Sequence, residues 1–115
     1  MSRKTPSRRT ANRRSHASVF AALGDETRLS LLNKLFRGQP RSISKLTHGS
    51  RLSRQAITKH LRVLQRAQIV RCSRSGRESL FEFNPQPIEE LRSYLDFVSE
   101  QWDQTLSRLK SFVER

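Results

Sequence analysis

The chain has 115 residues, of which 34% are hydrophobic, and a formal net charge of +13; that is enough for one domain burying roughly two-thirds of its unfolded surface and too little for a second. No apolar run approaches the ~18 residues of a membrane span, and no signal-peptide core opens the chain, so a cytoplasmic protein with no membrane partner is expected. The single cysteine, Cys72, excludes an internal disulfide framework and fits a reducing compartment.

The charge is unevenly placed: residues 1–15 carry +6 and no acid, residues 26–77 carry +12, and residues 78–115 carry −4. A strongly positive field in mid-chain points to nucleic acid or an anionic membrane as partner, without implying a fold. Residues 1–15, rich in Arg, Ser and Thr, read as a disordered basic arm, either solubilising or lying along DNA phosphates or in a minor groove. The folded domain is expected over residues 16–115.

A first short helix is predicted over His16–Leu23, with Val19, Phe20 and Leu23 on one side and Gly24 as its stop. Asp25 caps a second helix, Glu26–Arg37, with Leu29, Leu32, Leu35 and Phe36 as the buried stripe. The Gly38-Gln39-Pro40 turn ends it. Ser42 opens a third helix through Ile43, Leu46 and Thr47. After a turn in which Leu52 is expected to fill the corner, Ser53 caps a fourth helix reaching Gln68. There Ile57, Leu61 and Leu64 form the apolar stripe, and Ser53, Arg54, Gln55, Thr58, Lys59, His60 and Arg62 are candidates for DNA contact. Arg and Gln can read guanine and adenine edges bidentately, and Arg62, one turn further on, suits phosphate. His60 is read as bonding a phosphate or nearby backbone, rather than as a pH switch or a metal ligand.

Ile69 to Phe83 changes to a period of two around Ser75-Gly76-Arg77, which predicts a β-hairpin. Set directly after a basic helix, such a hairpin is a wing. Arg71, Arg74, Ser75 and Arg77 are expected around its tip, against the sugar-phosphate backbone or a minor groove. Cys72 lies in the first wing strand beside basic residues, where an inert thiol and a redox-sensitive one are both open readings.

Asn84-Pro85-Gln86-Pro87 opens a last helix, 86–115, whose apolar positions Ile88, Leu91, Leu95, Val98, Trp102, Leu109 and Phe112 follow spacings of three and four, with Thr105 interrupting. At about 1.5 Å per residue it is roughly 40 Å long, more than so small a domain covers on one side. A second copy is the economical partner, placing Val19, Phe20, Leu91, Leu95, Val98, Trp102 and Leu109 at a dimer interface; packing on the chain's own first helix is the alternative. No set of nucleophile, base and orienter exists, and Glu89-Glu90 point apart on a helix. Neither an enzyme nor a cofactor is expected.

The run Ala22-Leu23-Gly24-Asp25-Glu26-Thr27-Arg28-Leu29, the helix Ser53-Arg54-Gln55-Ala56-Ile57-Thr58-Lys59-His60-Leu61-Arg62-Val63-Leu64, Ala67-Gln68-Ile69-Val70, and Gly76-Arg77-Glu78 with Phe83-Asn84-Pro85 together resemble the arsenic-repressor-like (ArsR/SmtB) family of bacterial regulators. The resemblance implies a winged helix-turn-helix, mainly α with a small β-hairpin wing and about five helices, the last long and dimerising. It also implies a homodimeric repressor that blocks a promoter at a palindromic operator in double-stranded DNA, with room for an inducer the sequence does not identify. A basic architectural or RNA-binding protein without base readout is the alternative. The family's metal sensors carry paired cysteines where Ser42 and Ser44 stand here, and the last helix has no His, so no metal site is expected. Gln68 replaces the glycine usual before the wing.

Overall fold

The computed structural model describes residues 8–114, and of residues 8–15 the backbone alone. Five helices and three short strands follow in the order α1 (Arg8–Leu23), α2 (Glu26–Leu35), β1 (Arg41–Ser42), α3 (Ile43–Thr47), α4 (Arg54–Arg66), β2 (Val70–Ser75), β3 (Glu78–Phe83) and α5 (Gln86–Val113). The sheet is antiparallel with β3 in the middle, in the order β1-β3-β2.

α1 begins at Arg8, eight residues before the expected start, so the second half of the expected arm, Arg8–Ser15, is helical and the rest lies outside the described residues. The cause is propagation. Once Val19 and Ala22 are fixed in the core, each upstream residue adds one hydrogen bond for one residue ordered, and no Pro or Gly interrupts the chain between Pro6 and Gly24. Asp25, extended at φ −152°, ends this helix and caps α2, its carboxylate accepting from the Arg28 backbone N–H at 3.0 Å.

The buried stripe of α2 is Leu31, Leu32 and Leu35. Leu29, expected there, is 45% exposed, and Phe36 lies past the helix end, where it packs edge-on against Phe83 at 4.7 Å between ring centres. Leu32 and Leu35 are buried as expected, and Leu31 takes the place expected for Leu29, on the other side of that pair around the helix. β1 escaped prediction because two residues have no period to read; Arg41 pairs with Phe81 and Ser42 with Leu80. Ser42 and Ser53 cap α3 and α4 through their hydroxyls, which accept from the backbone of Lys45 and Ala56. Leu52 does not fill the corner between those helices, being 37% exposed; buried Leu46 and Ile57 occupy the core side.

α4 ends at Arg66, two residues before its expected end, because Gln68 takes the left-handed conformation at φ +63°, a region that disfavours a side chain with a Cβ. Three bonds from Asn84 hold this bend: its backbone N–H donates to the Ile69 carbonyl at 2.8 Å, its Nδ2 donates to the Gln68 carbonyl at 2.9 Å, and its Oδ1 accepts from Arg71 at 2.8 Å. Asn84 is buried, so these bonds satisfy a group that would otherwise be expensive to desolvate. β2 and β3 pair from Val70↔Phe83 to Ser75↔Glu78, leaving Gly76-Arg77 as a two-residue turn. Gly76, at φ +63°, supplies the positive φ such hairpin turns demand at their first central position.

A second polar cluster sets α4 against the N-terminal helices. The Arg28 guanidinium donates through Nε to the Ala22 carbonyl at 2.6 Å and through Nη2 to the Ala21 carbonyl at 3.3 Å, while Nη1 contacts His60 Nδ1 at 3.2 Å. Arginine has only donors, so at this contact the imidazole nitrogen can serve only as an acceptor. The Asp25 carboxylate lies 3.6 Å from the same nitrogen. The expected phosphate or backbone bond of His60 is thus replaced, at Nδ1, by side-chain partners on α2 and its cap.

At the base of the wing, Gln68→Gly should raise stability by about 0.5–1 kcal/mol, by relieving the left-handed strain, whereas Gln68→Ala should not. Asn84→Ala should cost about 2 kcal/mol for the partners it leaves unsatisfied. Urea unfolding measures all three variants, and Gly no better than Ala would show that the bend is unstrained. The Arg28 backbone N–H holds the Asp25 carboxyl below its usual value of 3.8, aided by the Arg28 guanidinium and His60 against the opposing effect of partial burial. A depressed carboxyl contributes stability above its unfolded pKa and loses it as pH falls through the folded value. Asp25→Asn, which keeps a capping oxygen, should therefore flatten the decline of the urea midpoint between about pH 5 and pH 2.5.

Candidate nucleic-acid interface

α4 carries Arg54, Lys59, Arg62 and Arg66 and no acid. Its apolar stripe, Ile57, Leu61 and Leu64, is buried as expected, so the residues opposite must face outward. Gln55, Lys59, Arg62 and Arg66 follow one another at intervals of four, three and four and are all exposed, forming a single straight row. Arg54 starts the helix beside this row and is also exposed. Thr58 is half-buried, and its hydroxyl donates to the Arg54 carbonyl at 2.7 Å. With that proton engaged, Thr58 offers a partner only acceptor lone pairs and a methyl group. Ser53 spends its oxygen on the cap, and half-buried His60 turns toward Arg28. Of the candidates, Gln55, Lys59 and Arg62 lie in the row with Arg66, which the sequence also offers for phosphate, Arg54 stands beside it, and Ser53 and His60 are engaged by the cap and by Arg28.

One of the wing expectations needs correction. Arg71 pairs across the ladder with Glu82, near the base of the hairpin, and its guanidinium is engaged by Asn84. Glu78, an exposed acid, stands directly beside Arg77. The tip thus presents Arg74, Ser75 and Arg77 against one carboxylate, a weaker positive field than three free arginines.

The expected dimer residues also divide. Val19 is 2% and Leu91 4% exposed, because both pack into this chain's own core, and neither has surface left for a partner. Phe20, Leu95, Trp102 and Leu109 are exposed, Trp102 by 61%, and Val98 is half-buried. Leu106, Phe112 and Val113 extend the same uncovered apolar surface along α5.

Two features escaped the sequence reading. One is Arg28, an interior hub that no spacing reveals because its partners come from α1 and α4. The other is a cluster of cations between α2 and α3, hidden in the mid-chain charge. Among the described residues, no three His, Cys, Asp or Glu side chains gather closely enough to hold a metal ion, and no helix is long and apolar enough to cross a membrane.

Residues 25–71, from the cap of α2 to the start of β2, match the family described as "Bacterial regulatory protein, arsR family". The chain is 35% identical over 80 residues to an uncharacterized HTH-type transcriptional regulator, YuzN of Bacillus subtilis (strain 168), an alignment covering 64% of this chain and 87% of that protein. Its fold matches an ArsR-like transcriptional regulator from Rhodococcus sp. RHA1 with a TM-score of 0.78 and 35% identity, over 89% of this chain and 95% of that one. It also matches, at 20% identity and a TM-score of 0.63 over 93% and 95% of the two chains, the homodimeric winged helix-turn-helix DNA-binding domain of Mb0332 from Mycobacterium bovis, which bears on the fold alone. The chain therefore belongs to the ArsR family of bacterial regulatory proteins, as a winged helix-turn-helix transcriptional regulator and not an enzyme.

Proposed function

We propose that this regulator is a homodimeric, sequence-specific repressor that occludes a promoter by binding a palindromic operator in double-stranded DNA. The observation that carries this reading is the acid-free row Gln55, Lys59, Arg62 and Arg66, flanked by Arg54, on a helix whose other side is locked in the core. A helix so placed fits a major groove, with Arg54, Gln55, Thr58 and Lys59 at base edges and Arg62 and Arg66 toward phosphates. Arg74, Ser75 and Arg77 would follow the adjacent backbone. Such a protein works in the cytoplasm, on the nucleoid when bound.

The second copy is supported by what the monomer leaves uncovered. A compact domain of this length has a radius of gyration of about 13 Å; this chain has 19.0 Å. The C-terminal half of α5 projects with Trp102, Leu109 and Phe112 exposed, and a partner helix burying Phe20, Leu95, Val98, Trp102 and Leu109 would remove that surface from water. A twofold dimer sets the two reading helices one duplex turn apart, about 34 Å, or wider if the long helices hold them so.

Gel shifts on promoter fragments, including the protein's own upstream region, test the reading. Binding indifferent to sequence at every salt concentration would replace it with a basic architectural or RNA-binding role. Arg54→Ala and Gln55→Ala should each lower discrimination among sequences by about five- to 150-fold, the equivalent of roughly 1–3 kcal/mol per bidentate contact. Arg77→Ala should weaken all sequences alike and reduce the salt slope by about 0.9, one phosphate contact. Trp102→Glu should give monomers in size-exclusion chromatography with light scattering where the parent protein gives dimers; a parent protein that is monomeric at all concentrations would remove the dimer.

A further inference from the structure

Residues 26–77 carry thirteen Lys and Arg, more than the reading helix and wing use. Four lie on α4, Arg71, Arg74 and Arg77 belong to the wing, and Arg28 is bonded internally. Of the five that remain, Lys34, Arg37, Arg41 and Lys45 line one open groove between α2, β1 and α3, together with His48. Its volume of about 420 Å³ falls within the roughly 300–1,000 Å³ of ligand sites. No carboxylate lines it, and among the described residues none lies within 4.0 Å of these four cations. Lys34 is half-buried, its ammonium donating to the Leu46 carbonyl at 3.2 Å, which fixes its position and leaves its other protons for a ligand.

Cations converging on one groove without a counter-charge repel one another, and an anion relieves that repulsion while accepting their hydrogen bonds. We propose that this groove binds phosphate groups, as a site separate from the reading face of α4. The phosphates come either from the DNA backbone or from a free polyphosphate. The backbone source rests on the function proposed above: α3 is the first helix of the helix-turn-helix, the one that crosses the backbone, and it supplies Lys45 with His48 as its C-cap. A strand passing over α3 would continue into the groove and meet Arg41 and Arg37, extending the footprint outward from the base pairs that α4 reads.

The test is the double variant Arg37→Ala/Arg41→Ala, whose side chains line the groove and make no side-chain hydrogen bond to any described residue. Salt dependence of binding is measured on a long operator duplex and on one trimmed to the base pairs under α4. With DNA as the source, the variant's slope falls by about two on the long duplex, at ~0.9 per phosphate, is unchanged on the trimmed one, and preference among sequences persists. With a free polyphosphate as the source, millimolar tripolyphosphate raises the Tm of the parent protein and not of the variant, and the slopes agree. Lys45→Gln, a single exposed change, should give half the slope effect if the double variant folds poorly. Unchanged slopes on both duplexes together with no tripolyphosphate effect overturn the proposal. Loss of sequence preference in the parent protein, with the slope difference intact, would instead sink the repressor reading and leave the groove.

Discussion

Whatever this protein presents to a partner is oriented by the burial of Ile57, Leu61 and Leu64, each 1% exposed or less, in a core to which α1, α2, α3, β2, β3 and α5 also contribute. Full burial of side chains of this size stabilises by roughly 1.5–3 kcal/mol each. Three of them at i, i+4 and i+7 fix the rotation of α4 about its axis, since turning it by one residue would drive charged neighbours such as Arg62 toward an apolar interior, at a desolvation cost no surface contact recovers. The exposed row is therefore a consequence of the core. Its residues need no structure of their own to be aimed outward.

That dependence explains which parts were legible in the sequence. α4 was legible because apolar and cationic residues separate cleanly around one helix, and the wing because Ser75-Gly76-Arg77 interrupts two alternating runs. α2 was legible together with Leu32 and Leu35 of its buried stripe; Leu29 and Leu31 flank that pair on either side, and only contact with the rest of the core selects Leu31. The start of α1 was missed because Arg8–Ser15 carry no apolar signal and extend a helix whose anchor lies downstream. Arg71 was assigned to the wing tip from its charge, whereas its position follows from register against Glu82 and from Asn84. Long-range polar contacts such as Arg28 to His60 leave no local signature.

Charge and apolar surface divide between the two ends of the fold. The basic elements α2 to α4 and the wing gather where a polyanion would lie, while α5 carries Glu89, Glu90, Asp96, Glu100 and Asp103 together with the uncovered apolar positions. In a dimer built on α5, the acids would stand between the two basic units. That arrangement keeps a duplex off the central helices and favours contact at the two ends, where the α4 rows are. The projecting half of α5 has little to pack on within its own chain, which is why the molecule measures 67 Å along its longest axis and only 22 Å along its shortest.

Between the helix suited to dimerisation and the helix suited to reading stands α1. On one side it meets α5 through aromatic contacts, His16 on Tyr94 at 4.7 Å and Phe20 edge-on to Tyr94 at 6.3 Å. On the other, its C-terminal carbonyls, those of Ala21 and Ala22, accept from Arg28, which also touches His60 on α4. Tilting α1 against α5 would move those carbonyls, and Arg28 cannot follow them without leaving His60, because one planar guanidinium serves both. The leucines of the core join the same elements, and a close-packed interior transmits strain as well. α1 thus meets α4 in two ways, through Arg28 at His60 and by direct packing of Ser18, Ala21 and Ala22 beside Val63 and Arg66, so the seam with α5 and the reading helix share one supporting element.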